Sequence, residues 1–188
     1  MNPITIILAE DHTIVREGLR SLLESEDDIK IVGETEDGRS TVKMTEKLRP
    51  DVVIMDIAMP LLNGIEATRQ ILQKLPETKI LILSGHSDDA YVEKVMELGA
   101  KGYLIKQSAS HVLAESIRGV YQGKECFSPG VSQRLNHHEK KARANGELHA
   151  KKDASHLSSR EMEVLQLIGE GKANKQTAAI LNISIKTV

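Results

Sequence analysis

The sequence predicts an α/β fold, a five-stranded parallel, doubly wound sheet, followed by a linker and a small all-α unit. Short runs of Ile, Val and Leu alternate with segments of 3.6-residue periodicity through the first 121 residues. Polar side chains gather at the ends of those runs. Beyond residue 127 both the composition and the sign of the charge change.

Five runs read as strands: Ile4–Ala9, Ile29–Glu34, Asp51–Asp56, Lys79–Ser84 and Gly102–Ile105. Five helical segments alternate with them. Ile14, Leu19, Leu22 and Leu23 stripe the first; Ile65, Ile71, Leu72 and Leu75 stripe the third; the fourth falls near Asp88–Leu98. Such alternation implies right-handed βαβ units and a parallel sheet covered on both faces. The nearly unbroken apolar character of Val52–Met55 and Ile80–Leu83 suits strands buried on both sides. With 40% hydrophobic but only 2% aromatic residues, Val, Ile and Leu must fill the core.

Residues 1–127 carry 15 Lys+Arg against 21 Asp+Glu, whereas residues 128–188 carry 10 against 6. An acidic first part and a basic second part predict two domains with different partners, the second leaning towards a polyanion. Residues 128–156, rich in Gly, Asn, His and Lys and poor in apolar residues, read as a flexible basic linker. His137, His138, His149 and His156 are scattered through this polar stretch and read as solvated rather than as metal ligands. From 157 onward, Ser158 or Ser159 caps a helix with Glu161 and Glu163 in its first turn. Met162, Val164, Leu165, Leu167 and Ile168 form its apolar set, and a second short helix covers about Asn174–Leu181.

The single Cys126 excludes an internal disulfide. The N-terminus has no basic stretch ahead of its apolar residues, and no apolar run approaches the length of a membrane span. These features predict a soluble, cytoplasmic protein.

Glu10-Asp11, Asp56, Ser84 and Lys106 each fall at or just past the end of a predicted strand. A parallel sheet gathers such ends into one crevice. Where a dinucleotide-binding fold would place a glycine-rich loop, this chain places two acids, which repel a phosphate but attract a divalent cation. A carboxylate beside a metal is a competent nucleophile towards phosphorus, which casts Asp56 as a phosphoacceptor. The Ala58 carbonyl is the natural backbone ligand. Ser84 and Lys106 stand where they can contact the oxygens of a modified Asp56. Taken singly, each residue is ordinary: a cap, a turn hydroxyl, a surface charge. Their coincidence at successive strand ends is not.

Glu10-Asp11, the string Val53–Pro60 with Asn63-Gly64, Leu83-Ser84-Gly85, and Gly99–Lys106 resemble a bacterial response-regulator receiver domain, in order, over residues 4–121. That resemblance implies a flavodoxin-like fold and a phosphoryl group passed to Asp56 by a sensor histidine kinase. It implies that Glu10, Asp11, Asp56 and the Ala58 carbonyl hold Mg²⁺, that Lys106 pairs with the phosphoryl group, and that Ser84 and Tyr103 form a switch pair. Residues 157–188 resemble a LuxR-type helix-turn-helix, and the two together resemble the NarL/FixJ class of transcriptional regulators. Lys175, Ser184, Lys186 and Thr187 are then the candidate DNA contacts, and a phosphorylation-dependent homodimer is the expected assembly.

The family's recognition helix starts around Ser184–Val188, so the unit is expected to be truncated within that helix and this chain to bind specific DNA weakly or not at all. Two other readings compete. A receiver acting through phosphorylation-dependent protein contacts alone needs no DNA. A Mg²⁺-dependent aspartyl-phosphate phosphatase of the haloacid-dehalogenase type would instead carry its nucleophile after the first strand, where Asp11 is followed by His12 and Thr13. The expected activity is therefore a switch, not an enzyme.

Overall fold

The computed structural model describes residues 2–85, 88–109, 111–132 and 157–188. The sheet runs β2-β1-β3-β4-β5-β6, with every neighbouring pair parallel. Its strands are β1 (Ile4–Ala9), β2 (Ile29–Thr35), β3 (Val52–Met55), β4 (Lys79–Ser84), β5 (Gly102–Ile105) and β6 (Cys126–Phe127). The helices between them are α1 (Thr13–Glu24), α2 (Gly38–Leu48), α3 (Gly64–Lys74), α4 (Asp89–Glu97), the short α5 (Lys106–Ala109) and α6 (Leu113–Tyr121).

Alternation along each strand divides the core in two. Ile7, Ala9, Val53, Met55, Ile80, Ile82 and Tyr103 pack with α2, α3 and α4 on one face. Ile6, Leu8, Val52, Ile54, Leu81, Leu83 and Leu104 pack with α1 and α6 on the other. Strand order reverses between β1 and β3, and a doubly wound sheet opens its binding crevice at that switch point.

The sheet has six strands where five were expected. The two residues of β6 are too few to show any pattern, but the Cys126 amide donates to the Lys101 carbonyl at 3.0 Å and the Ser128 amide to Tyr103 at 3.0 Å. The Ser128 hydroxyl accepts from the Ile105 amide at 2.9 Å. Residues 129–132 turn into a helix, and Val131 is buried in the cluster that holds Tyr103, Val92 and Val95. The remainder of the expected linker, residues 133–156 with its four histidines, lies outside the described residues.

In the second unit, α7 (Ser159–Gly169) and α8 (Asn174–Leu181) precede a 3₁₀ turn over Ile185–Thr187. Ser158 caps α7 through a full capping box with Glu161. Asn182 ends α8 in the left-handed conformation at φ 53°, which asparagine tolerates. The expected apolar stripe of α7 is only partly inward. Leu167 is buried, but Leu165, Ile168 and Met162 are exposed, while Glu163 is buried. A carboxylate is buried only with partners, and Glu163 finds two of them, Arg39 and Gln70, in the other domain and a third, Arg160, on its own helix.

Candidate functional site

Three strands of the sheet supply the pocket. Asp56 follows β3, and its amide donates to the Ala9 carbonyl at 2.9 Å, which seats it beside the end of β1. Its carboxylate is only 2% exposed. Oδ2 accepts from the Lys106 ammonium at 2.8 Å, and Oδ1 faces the Ala58 amide at 3.4 Å. Lys106, at the end of β5, also sits 2.6 Å from Glu10 Oε2. Burial would lower the lysine's pKa, but its hydrogen bonds to Asp56 and Glu10 outweigh that and hold it above the ordinary value.

Glu10 is buried and Asp11 half-buried. One ligand atom from each of Glu10, Asp11, His12 and Asp56 lies within 4.8 Å of the others. One ammonium among three carboxylates leaves the pocket negative. That charge and those hard oxygens fit a divalent cation bound by carboxylates and a backbone carbonyl. His12 was not foreseen. Its Nδ1 lies 2.8 Å from Asp11 Oδ1 and 3.0 Å from Glu10 Oε1, and its pKa is raised by the hydrogen bond to Glu10 and then by the charge of Asp11. Its place in sequence, directly after two acids, was the available signal.

Ser84 and Tyr103 meet. Both are fully buried, and they share a hydrogen bond. Tyr103 therefore faces inward, in the cluster with Val92, Val95 and Val131. Ser84 pairs in register with Ile105, one residue before Lys106. Lys175 lies exposed on α8, while Ser184, Lys186 and Thr187 lie exposed on or beside the final turn; the Ser184 and Thr187 hydroxyls are 2.8 Å apart. These four stand apart from the pocket in the chain's second unit.

The loop after Asp56 is gripped by α7. Gln166 Oε1 accepts from the Asn63 amide at 2.7 Å and its side chain at 3.1 Å, and Gln166 Nε2 donates to the Met59 carbonyl at 3.0 Å. Glu170 accepts from the Leu61 amide at 2.9 Å. Leu61 is left-handed at φ 63°, an uncommon conformation for leucine. Buried Glu163 collects Arg39 at 3.0 Å, Gln70 at 2.9 Å and Arg160 at 2.7 Å, and Arg69 bonds the Ser159 hydroxyl. Glu163, Gln166 and Glu170 recur at helical spacing, so one stripe of α7 faces the first domain. A cavity of about 860 Å³ opens beside this seam, lined from both domains by Ile65, Tyr91 and Met162 among others. From sequence only Glu163 stood out, and only as a first-turn acid, because the stripe's partners lie about a hundred positions away.

Residues 6–118 match the response regulator receiver domain, and residues 155–188 match the bacterial regulatory proteins of the luxR family. The chain is 39% identical to the transcriptional regulatory protein DegU of Brevibacillus brevis, over all of this chain and 84% of that protein. It is 38% identical to LiaR of Bacillus subtilis, over 98% of this chain and 85% of the relative. Among solved structures, RcsB of Salmonella typhimurium, described for its conformational dynamism in DNA interaction, matches with a TM-score of 0.67 and 33% identity. That match covers all of this chain and 87% of RcsB, and another structure shows two RcsB dimers bound to two parallel DNAs. An acid-lined α/β unit joined to a LuxR-type helix-turn-helix places this chain in the NarL/FixJ class of two-component response regulators, the family of transcriptional regulators to which it belongs.

Proposed function

We propose that Asp56 is the residue that takes the phosphoryl group, and that a sensor histidine kinase supplies it. The observation carrying this reading is the placement of the Asp56 carboxylate, 2% exposed, against Lys106 with Glu10 and Asp11 alongside. Glu10, Asp11, Asp56 and the Ala58 carbonyl would hold Mg²⁺, which when bound neutralises charge between an anionic donor and the pocket's acids. An Asp56 carboxylate oxygen attacks phosphorus, the phosphorus–nitrogen bond to the donor histidine breaks, and the electron pair leaves with the imidazole. Lys106, already directed at Asp56 Oδ2, stays to pair with the new phosphoryl oxygens.

The output reading follows from the seam. Gln166 and Glu170 bond the Met59–Asn63 loop three to seven residues beyond Asp56, so a change of charge and shape there reaches α7 directly. Release frees the helix-turn-helix for DNA, with Lys175, Ser184, Lys186 and Thr187 as its contacts and paired half-sites favouring a dimer.

The deciding experiment is intact mass after incubation with acetyl phosphate, with and without Mg²⁺, on this chain and on Asp56→Asn. One Mg²⁺-dependent phosphoryl adduct that Asp56→Asn lacks is the expected result. An adduct that survives the substitution, or none on folded protein, would overturn the assignment.

A further inference from the structure

Helix α1 starts badly by local rules. His12 makes no side-chain cap and the first turn holds no acid. It holds Arg16 instead, a cation where the helix dipole favours an anion. A local rule broken this way calls for a compensating contact elsewhere.

Arg16 supplies one. Its guanidinium turns back over the helix start and Nη1 donates to the Glu10 carbonyl at 2.7 Å. Nη2 bonds Glu36 at 2.6 Å, and Nε lies 3.6 Å from Glu34. The residue is 9% exposed. Glu10's amide, on its other side, donates to the Thr35 carbonyl at 3.0 Å. The backbone around the two metal-facing acids is thus held by β2 directly and by an arginine that acids at the end of β2 anchor. Arg16's hydrogen bonds go to that carbonyl and to Glu36, not to the carboxylate oxygens that would meet a cation.

We propose that Arg16 is a positioning residue for the cation site. It fixes the Glu10-Asp11 peptide so that both carboxylates aim into the pocket despite their mutual repulsion. This inference rests on the divalent-cation reading of the pocket.

The sign of the effect separates positioning from simple charge. As a nearby charge alone, the guanidinium repels a dication, so removing it would tighten binding. As a positioning group its removal weakens binding, and losing such an outer partner typically costs about 10–100-fold in metal affinity. The test is direct Mn²⁺ binding, read from the free-ion electron paramagnetic resonance signal, on the wild-type chain, Arg16→Ala and Arg16→Lys. Each is paired with the Mg²⁺ concentration that half-saturates acetyl phosphate labelling, and with a melting curve in chelator.

We expect Arg16→Ala to raise the Mn²⁺ Kd and the half-saturating Mg²⁺ by a common factor of about ten. Labelling at saturating Mg²⁺ should return to the wild-type level, and Arg16→Lys should recover part of the loss. An unchanged or tighter Kd, even with a lowered melting temperature, would overturn the proposal. Glu36→Ala removes the guanidinium's hydrogen-bonded anchor without changing a residue of α1 and should weaken Mn²⁺ binding in the same direction; no weakening there counts against positioning. A wild-type chain that binds no Mn²⁺ removes the cation reading itself, an outcome distinct from a wild type that binds and a variant that is unaffected.

Discussion

The amide and side chain of Asn63 both donate to Gln166 Oε1, at 2.7 and 3.1 Å, while Asn63 Oδ1 caps α3 through the Glu66 amide at 3.0 Å. One asparagine thus starts a receiver helix and anchors the DNA-binding unit. Gln166→Ala removes the acceptor and the Nε2 donor to Met59 together. At about 1 kcal/mol net per hydrogen bond, the docked arrangement should lose about 1–3 kcal/mol, a shift of about 5- to 150-fold towards separated domains. Small-angle scattering of the unphosphorylated chain should show a larger radius of gyration for Gln166→Ala. An unchanged profile would mean that the Glu163 cluster, with the Glu170–Leu61 and Arg69–Ser159 bonds, holds the seam without Gln166.

Gly64 lies where the loop after Asp56 turns into α3, and its amide donates to the Ile57 carbonyl at 2.9 Å. A Cβ there would be driven into the Asp56 carbonyl oxygen and stand 2.8 Å from its carbon. Backbone cannot swing aside as a side chain can. Gly64→Ala should cost about 3 kcal/mol, the upper end for overpacking, and should slow acetyl phosphate labelling even where the protein remains folded. Denaturant melts alongside labelling rates check both halves. Normal labelling in the variant would show that the loop has room the packing denies.

Val131 and Ser128 extend the receiver past β6. A receiver ended after Phe127 forfeits the Val131 side chain in the core and both Ser128 hydrogen bonds. It should be less stable than one ended after Ser132 by about 3 kcal/mol, from one buried valine and two net hydrogen bonds. Equal melting midpoints would assign residues 128–132 to the connecting segment instead.

Tyr103 should titrate late. Burial pushes its phenol above the ordinary 10.0, outweighing the opposing Ser84 hydrogen bond, and the charges of Asp88 and Asp56 push the same way. The folded state thus holds this proton more tightly than the unfolded chain. The linked stability is complete below pH 10.0 and is lost as pH climbs through the folded value. In an ultraviolet titration of the chain's three tyrosines, a late component should vanish in Tyr103→Phe. A late component that persists in the variant belongs to another tyrosine.

The sequence shows the sheet because parallel strands buried on both faces are simple apolar runs; Ile4–Ala9, Lys79–Ser84 and Gly102–Ile105 emerge with their expected ends. It shows the pocket because a parallel sheet brings strand ends together wherever they lie in the chain. It hides whatever depends on a partner far away. Glu163 looks like a first-turn surface acid until Arg39 and Gln70 meet it, and Leu165 looks like core until α7 is seen spending its inward face on polar bonds. Arg16 reads as one more charge on an amphipathic helix, because nothing in the order of residues shows that a side chain doubles back onto Glu10.

Cys126 sits on β6, half-buried against α6, and burial holds its thiol above the ordinary pKa despite the opposing charge of Lys124. Thiolates, not thiols, are alkylated, so the folded protein should react slowly and the strand must peel away before the sulfur reacts freely. The chain therefore carries one native chemical clock, placed on the strand through which the receiver leads towards the DNA-binding helices. Comparing its alkylation rate before and after phosphorylation counts how often the receiver releases that strand, without adding any label to the protein.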